Sequence, residues 1–172
     1  MKVAATGHRP PKVCGWEEYE GVGLERMTAL ARNCLIRLDA EEAISGMALG
    51  WDISFALAAI GLNIPLIAAV PFKGQEKRWN KKSRDFYYET LSQSQEVIYV
   101  CKDEMPASGE WSKQKIDEMM KGRDRWMVDN CDKVLALYNG THGGTSATVN
   151  YAHSQGKPVI NVWTSWVKYR GF

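Results

Sequence analysis

Six short apolar runs recur along the chain, and longer stretches that mix apolar and polar residues separate them. Runs of this length, bounded by glycine, proline or charged residues, are typical of strands buried in a sheet. Strands that alternate with helices form a parallel sheet with helices on both faces. The sequence therefore predicts the α/β class, with strands over residues 3–5, 43–44, 64–70, 96–101, 133–138 and 159–162.

The stretches between these runs have the periodicity of helices. In the first of them, Leu24, Met27 and Ala31 recur at a spacing that places their side chains on one face. Residues 53–60 are apolar nearly all round, which is typical of a buried helix. Residues 102–111 are expected to form a loop, which is a candidate flap. The predicted helices cover residues 21–38, 53–60, 76–93, 112–130 and 145–155.

Four of the strands end abruptly in tight, polar turns that contain glycine or proline. In an open parallel sheet, ligands bind in the crevice outside the carboxyl ends of the strands. We therefore expect one binding site, assembled from the turns over residues 6–10, 45–52, 71–76 and 139–145.

Size and charge restrict the classes of partner. The 172 residues have the length of one domain and contain no repeats or linker, so residues 1–172 are expected to form a single domain. The 22 basic and 20 acidic residues leave a net charge of only +2, whereas nucleic-acid-binding domains carry a basic face. The longest apolar runs are too short to cross a bilayer. A small molecule is thus the expected ligand, and neither nucleic acid nor a membrane is an expected partner.

The cysteines and histidines indicate neither disulfides nor a metal site. The four cysteines form no CxxC pair and no zinc pattern, and the three histidines lack the spacing of metal ligands. We therefore expect no metal and no cofactor. Free thiols, and a start at Met1 that leads into a strand rather than a signal peptide, favour a reducing, cytoplasmic location.

The turn over residues 139–145 is the strongest candidate for binding a ligand. Its glycines, Gly140, Gly143 and Gly144, allow positive φ and a close approach of the backbone to a ligand. The N-terminus of the helix that follows offers unpaired N–H groups that suit a phosphate. Asn139 lies in the same turn, and Thr145 either donates its hydroxyl to the phosphate or caps the helix. The alternative is an ordinary glycine-rich turn.

Arg123 is the most informative single residue. It lies three residues after Met120 and four before Met127, on the apolar stripe of its predicted helix. An arginine is rarely buried without a partner. Its partner is therefore either a ligand phosphate or an internal carboxylate, and the sequence leaves both open.

Two carboxylates are candidates for acid–base chemistry. Asp52 begins a buried helix, where it either stabilises the helix dipole or faces the crevice and holds a ribose hydroxyl or a proton. Glu76, at the mouth of the third turn, is the second candidate. Its simpler interpretation, which we favour, is a solvated glutamate in the first turn of a helix.

The remaining candidates extend the ligand site over the other turns. His8 could bond a base or a phosphate, although its turn could also be merely rigid. The ligand-binding candidates of the first three turns are Thr6, Gly7, His8, Arg9, Ser45, Gly46, Gln75 and Trp79.

Taken in order, these motifs resemble the SLOG superfamily, which includes LOG-type nucleotide phosphoribohydrolases and DprA-related proteins, and most of all its YpsA-like branch. The resemblance rests on residues 6–10, 45–52, 71–72 with Gln75 and Trp79, and 123–145. It implies a Rossmann-like fold with a nucleotide-derived ligand over the glycine-rich turn. Together with the seven tryptophans, it implies a homodimer or a higher homo-oligomer.

The sequence also departs from the LOG hydrolases. Arg123, Met127 and residues 144–145 match their motif, but Asp124 stands where their lysine would be, and Thr148 where their catalytic glutamate would be. Cleavage of an N-glycosidic bond would then depend on Asp52 or Glu76. The expected function is binding of a phosphorylated nucleoside or nucleotide derivative, with or without such cleavage. The alternatives are a non-catalytic nucleotide sensor and, more weakly, DprA-like DNA binding.

Overall fold

The computed structural model of the protein describes residues 1–108 and 110–169. Gly109, in the predicted loop, and residues 170–172, at the end of the predicted domain, lie outside the described residues.

A sheet of six parallel strands forms the centre of the molecule. Its order is β4-β3-β2-β1-β5-β6, so the chain runs outward from β1 to β4 and then returns to the other side of β1. The predicted α/β class is confirmed. The strands are β1 (Lys2–Gly7), β2 (Glu42–Ser45), β3 (Leu66–Val70), β4 (Glu96–Tyr99), β5 (Lys133–Leu137) and β6 (Val159–Asn161).

Helices cover both faces of this sheet. They are α1 (Pro10–Val13), α2 (Trp16–Glu18), α3 (Leu24–Arg37), α4 (Trp51–Gly61), α5 (Lys81–Ser92), α6 (Lys113–Asp129), α7 (Gly144–Ser154) and α8 (Trp163–Tyr169). A π-helical segment, Tyr19–Gly23, joins α2 to α3. None of the helices in the described part of the chain is long and apolar enough to cross a membrane.

The core has two parts, one on each face of the sheet. Side chains of a strand point alternately to opposite faces, so Val3 and Ala5 pack against the layer of α3 and α4, while Ala4 packs against α6 and α7. β3 is buried along its whole length, as expected for a strand covered on both faces. Helices of both layers, α4 on one face and α6 and α7 on the other, contribute residues to the site.

Two predicted helices begin elsewhere than expected. The helix predicted over residues 76–93 begins at Lys81, because the Asn80 side chain accepts a hydrogen bond from the Ser83 amide at 2.8 Å and caps it. Residues 76–78 form a turn and residue 79 a bend instead. The helix predicted over residues 21–38 begins at Leu24, because the residues before it form the π-helical segment that follows α2. The helix α1, with Pro10 at its start, was not predicted.

Candidate functional site

A cavity of about 430 Å³ lies at the carboxyl ends of β1 and β5, where the order of the strands reverses. In open α/β sheets this reversal is the usual place for a ligand. Eight predicted site residues line the cavity: Thr6, Gly7, His8, Arg9, Asp52, Arg123, Gly144 and Thr145. Six further lining residues were not predicted as ligand contacts: Pro11, Lys12, Ala48, Asp117, Met120 and Asp124.

Arg123 is buried and has carboxylate partners within the protein. Its Nε donates to Asp124 Oδ1 at 2.6 Å, and its Nη1 lies 4.0 Å from Asp52 Oδ2. Nη1 also donates to the carbonyl oxygen of Gly46. The side chain of Arg123 is 6% exposed and still lines the cavity. The sequence left a ligand phosphate and an internal carboxylate open as partners of Arg123. Internal carboxylates are present, and the guanidinium also borders the cavity that could hold a ligand.

Asp52 is buried at the start of α4. Burial raises the pKa of its carboxyl from 3.8 to about 7, and the attraction of Arg123 opposes that shift while the repulsion of Asp124 adds to it. A carboxyl that titrates near neutrality can both donate and accept a proton there. Asp52 therefore has the protonation behaviour of an acid–base group.

Gly46 leaves the space that Arg123 occupies. A Cβ atom at this position would lie 2.1 Å from Arg123 Nη1 and 2.7 Å from Asp52 Oδ2. Ser45 fixes the same turn, since its hydroxyl donates to the carbonyl oxygen of Asp52 at 2.7 Å and accepts from the Met47 amide at 3.1 Å. Both predicted residues thus shape the site from behind the cavity lining.

The glycine-rich turn leads into α7 with a cap other than the predicted one. The N-cap is Gly143, and the Ser146 hydroxyl donates to its carbonyl oxygen at 2.7 Å. Thr145, which was a candidate cap, lies in the first helical turn and borders the cavity. Positive φ occurs at Gly140 (89°) but not at Gly144, whose missing Cβ would meet nothing within 4 Å. The open space over Gly144 gives the first amides of α7 access to the cavity.

Lys12 adds a cation beside the same turn. The helix α1 places its Nζ 3.1 Å from the carbonyl oxygen of His142 and 3.5 Å from Thr141 Oγ1. Only one feature of the sequence indicated the location of Lys12. This was Pro10, two residues earlier, because proline is common at the first position of a helix. A lysine and a helix N-terminus at one end of a cavity are typical of an anion site.

His8 and Asn139 connect the first and fourth turns to each other. His8 Nε2 lies 2.6 Å from Asn139 Oδ1, and the Thr141 amide donates to the same oxygen at 3.0 Å. Burial lowers the pKa of His8, while the contact with Asn139 opposes the shift and Lys12 adds to it. The ring borders the cavity, but this nitrogen is occupied by Asn139, so His8 supports the turn.

The third turn lies apart from the cavity. Gln75 Nε2 donates to the Tyr87 hydroxyl at 3.2 Å, and Glu76 accepts a hydrogen bond from Tyr88. The Trp79 ring packs against Tyr87 with 5.3 Å between centroids. Glu76 is 6% exposed, so the simpler interpretation of it as a solvated glutamate is wrong. Gln75, Glu76 and Trp79 are in contact with α5 and do not line the cavity.

The two positions that depart from the LOG motif touch each other. The Thr148 hydroxyl, on α7, donates to Asp124 Oδ2 at 3.1 Å and lies 3.0 Å from the carbonyl oxygen of Gly144. Asp124 lies on α6, so this hydrogen bond joins the two helices beside the cavity. Among the described residues, no cluster of three or more His, Cys, Asp or Glu residues is arranged to hold a metal ion.

Comparisons with known sequences agree with the motifs. The sequence model of the YspA SLOG family, YpsA, matches residues 6–159, which confirms the resemblance. The uncharacterized SPbeta prophage-derived protein YoqJ of Bacillus subtilis (strain 168) is 28% identical over 134 residues, 74% of this chain and 78% of YoqJ. A UPF0398 protein of Bacillus pumilus (strain SAFR-032) is 28% identical over 157 residues, 83% of this chain and 76% of that protein.

Solved structures share the fold at low identity. DprA from Streptococcus pneumoniae has a TM-score of 0.61 at 18% identity, covering 92% of this chain and 48% of DprA. DprA from Helicobacter pylori, solved for its single-stranded DNA binding mode, has a TM-score of 0.61 at 22% identity, covering 92% and 63%. TM1055 has a TM-score of 0.52 at 17% identity, covering 92% and 72%. The chain thus spans less than two thirds of either DprA chain.

Proposed function

The chain belongs to the YspA SLOG family, and from this membership and the geometry of the cavity we propose that it binds a phosphorylated nucleoside or nucleotide derivative. One observation carries the proposal. The cavity is lined by cationic groups, namely Arg9, Lys12 and Arg123 with the N-terminus of α7, and by the carboxylates Asp52, Asp117 and Asp124. A sugar phosphate has an anionic group for the cations and hydroxyl groups for the carboxylates.

The phosphate subsite lies over Gly144 and Thr145. The first amides of a helix have no partner within the helix and point at an anion placed on its axis. Lys12 supplies a full positive charge at the same place, and Arg9 lines the cavity near Arg123, Asp52 and Asp124. The absence of a Cβ at Gly144 lets a phosphate approach the backbone closely.

The finer proposal is cleavage at the N-glycosidic bond of the ligand. Such a reaction passes through an oxocarbenium-like transition state and needs a carboxylate near the sugar. Asp52 is the group for this step, because it lines the cavity and its pKa of about 7 allows proton transfer near neutrality. Glu76 accepts a hydrogen bond from Tyr88 outside the cavity, and the proposal gives it no role.

The second candidate function is a non-catalytic nucleotide sensor. The observation that favours it is Thr148, a buried hydroxyl hydrogen-bonded to Asp124, at the position where LOG hydrolases carry a catalytic glutamate. In a sensor the same cavity binds the ligand and no bond breaks. The two functions therefore predict the same binding and differ in turnover.

Native mass spectrometry of the purified protein tests the common part of the proposal by the mass of any co-purified nucleotide. Calorimetry with nucleoside monophosphates and ADP-ribose measures affinity, and chromatography of the same mixtures measures base release. Binding with release supports the hydrolase, and binding without release supports the sensor. If the protein binds a single-stranded oligonucleotide but no mononucleotide, the result would contradict both the hydrolase and the sensor and would favour a DNA-binding function.

Lys12→Gln and Lys82→Gln form a matched pair for the phosphate subsite. Both remove one positive charge from an exposed lysine, but only Lys12 lines the cavity. We expect Lys12→Gln alone to weaken nucleotide binding, by about tenfold for a charge-assisted contact. Equal affinities for the two variants would place the phosphate elsewhere.

A further inference from the structure

Asp124 is held on its protein side by two donors from different helices. Its Oδ1 accepts from Arg123 Nε at 2.6 Å, and its Oδ2 accepts from the Thr148 hydroxyl at 3.1 Å. These two contacts fix the orientation of the carboxylate, since each oxygen has its own donor. The side chain is thus positioned in advance, which lowers the entropy that a ligand contact would cost.

Exposure decides which of these groups can meet a ligand. The Asp124 side chain is 23% exposed and lines the cavity. Thr148 is only 6% exposed, and its hydroxyl is already occupied by Asp124 and the carbonyl oxygen of Gly144. Asp124 therefore stands between Thr148 and the cavity. Position 148 carries no carboxylate, but the carboxylate of Asp124 on α6 contacts the Thr148 side chain.

Asp52 also lines the cavity but is less exposed than Asp124. Its side chain is 8% exposed, about one third of the exposure of Asp124. Arg123 Nη1 lies 4.0 Å from its Oδ2. Of these two carboxylates, Asp124 is thus the more accessible.

The free acceptor sites of Asp124 match a pair of hydroxyls. An ionised carboxylate has about four acceptor sites, and the two contacts within the protein use two of them. About two remain for the cavity. The 2′ and 3′ hydroxyls of a ribose are two adjacent donors on one face of the sugar, whereas a 2′-deoxyribose has only one.

We infer that Asp124 binds the vicinal hydroxyls of the ribose, with Arg123 and Thr148 as its positioning residues, so that the site selects ribonucleotides over 2′-deoxyribonucleotides. The inference rests on the proposed function, because it takes a ribosyl phosphate as the ligand, and it applies to the hydrolase and the sensor alike. A site built to bond a hydroxyl rejects the analogue that lacks it, because an acceptor that the bound ligand shields from water is then left unpaired.

The same two helices supply a matched control. Asp129 on α6 accepts from the Tyr151 hydroxyl on α7 at 3.0 Å, as Asp124 accepts from Thr148, but neither Asp129 nor Tyr151 lines the cavity. Asp129→Asn and Tyr151→Phe therefore remove the same kinds of group from the same pair of helices without changing the site.

The experiment is calorimetric titration of the wild type, D124N, T148V, D129N and Y151F with four pairs of probes. The pairs are AMP and dAMP, GMP and dGMP, CMP and dCMP, and UMP and dUMP, so that no base has to be assumed. The measured quantity is the ratio of the ribo to the deoxy affinity for whichever base binds. Circular dichroism melting checks that each variant is folded.

We expect the wild type, D129N and Y151F to prefer the ribonucleotide by about tenfold or more, the usual loss for one missing bond to a charged group. D124N should bring the ratio close to one while it keeps binding the deoxynucleotide, and T148V should lower the ratio partly. A wild-type ratio near one, or a ratio that D124N leaves unchanged, would overturn the inference and leave the proposed function intact. Absence of binding of all eight probes and of ADP-ribose to the wild type would instead overturn the proposed function, and the inference with it.

Discussion

The guanidinium of Arg123 and the carboxyl of Asp52 face each other at 4.0 Å, with both side chains less than one tenth exposed. Two charged groups taken out of water stabilise a protein only when each compensates the other. Asp124 contributes a second, closer carboxylate at 2.6 Å from Arg123 Nε. The contact between Arg123 and Asp52 therefore links α6 to α4 beside the cavity. A substitution at either residue changes the electrostatic environment of the other.

Arg123→Met tests this coupling. If only its place on an apolar stripe is considered, replacing Arg123 by Met should change the free energy of unfolding little. The structure predicts instead a loss of about 3–5 kcal/mol in the free energy of unfolding, because the buried Asp52 loses its partner. Urea unfolding at pH 8 measures it. The double variant Arg123→Met with Asp52→Asn should recover most of the loss. A change in the double variant that equals the sum of the two single changes would contradict the coupling.

Asp52→Asn should change the pH dependence of stability. The unfolded chain releases this proton near pH 3.8, whereas the folded protein keeps it until about pH 7, so the free energy of unfolding of the wild type falls as the pH rises between these values. An asparagine has no such proton. We therefore expect the free energy of unfolding of the variant, relative to that of the wild type, to rise by about 1–4 kcal/mol from pH 4 to pH 8. Each unit of difference in pKa contributes about 1.4 kcal/mol.

Urea unfolding of the wild type and Asp52→Asn at pH 4 and at pH 8 measures this gain. Asp85→Asn, on the exposed face of α5, is the control and should show no comparable change. A difference between variant and wild type that stays constant or shrinks with rising pH would show that Asp52 is ionised throughout.

Gly46→Ala should displace Arg123. The added Cβ would lie 2.1 Å from Nη1, closer than any contact, so the side chain of Arg123 or the turn has to move. Overpacking of this kind costs about 1–3 kcal/mol. Gly61→Ala is the control, because its Cβ would meet only Arg32 Nη1 at 3.9 Å. Thermal melting of both variants gives the comparison, and equal melting temperatures would place Arg123 elsewhere in solution.

Assembly is a separate prediction. The strand β4 lies at the edge of the sheet and carries Val97 and Tyr99, which are 36% and 42% exposed. The free side of an edge strand can pair with a second copy. We expect light scattering to give about twice the 19.4 kDa of one chain, and Tyr99→Lys to lower that mass. A wild-type mass of a single chain at micromolar concentration would contradict the prediction.

The central strands could be predicted because strands covered on both faces are continuous apolar runs, as β3 shows. The start of α5 could not be predicted from composition. Residues 76–79 are compatible with a helix, and only the hydrogen bond from the Ser83 amide to Asn80 fixes the start at Lys81. The helix α1 is too short for a periodic pattern, so its effect on Lys12 was not apparent.

The site could be predicted in part, because glycine-rich turns at the ends of strands are visible in a sequence and the order of the strands is not. The order places β3 two strands away from β1, so the turn that holds Gln75 and Glu76 lies away from the cavity. Asp124 was noticed only as a departure from a motif. Its contact with Thr148 depends on how α6 and α7 pack, which no local pattern encodes.

The most direct test of the central claim is calorimetric titration of the wild type, Gly144→Val and Ala147→Val with the nucleoside monophosphates. A Cβ atom at Gly144 would meet no protein atom within 4 Å, so we expect the variant to fold and to fill the space over the α7 amides. Ala147→Val adds a branched side chain at an exposed position of the same helix, away from the cavity. We predict that Gly144→Val alone loses at least tenfold in affinity, about 1.4 kcal/mol. Unchanged affinity in a folded Gly144→Val protein would contradict a phosphate site at this turn.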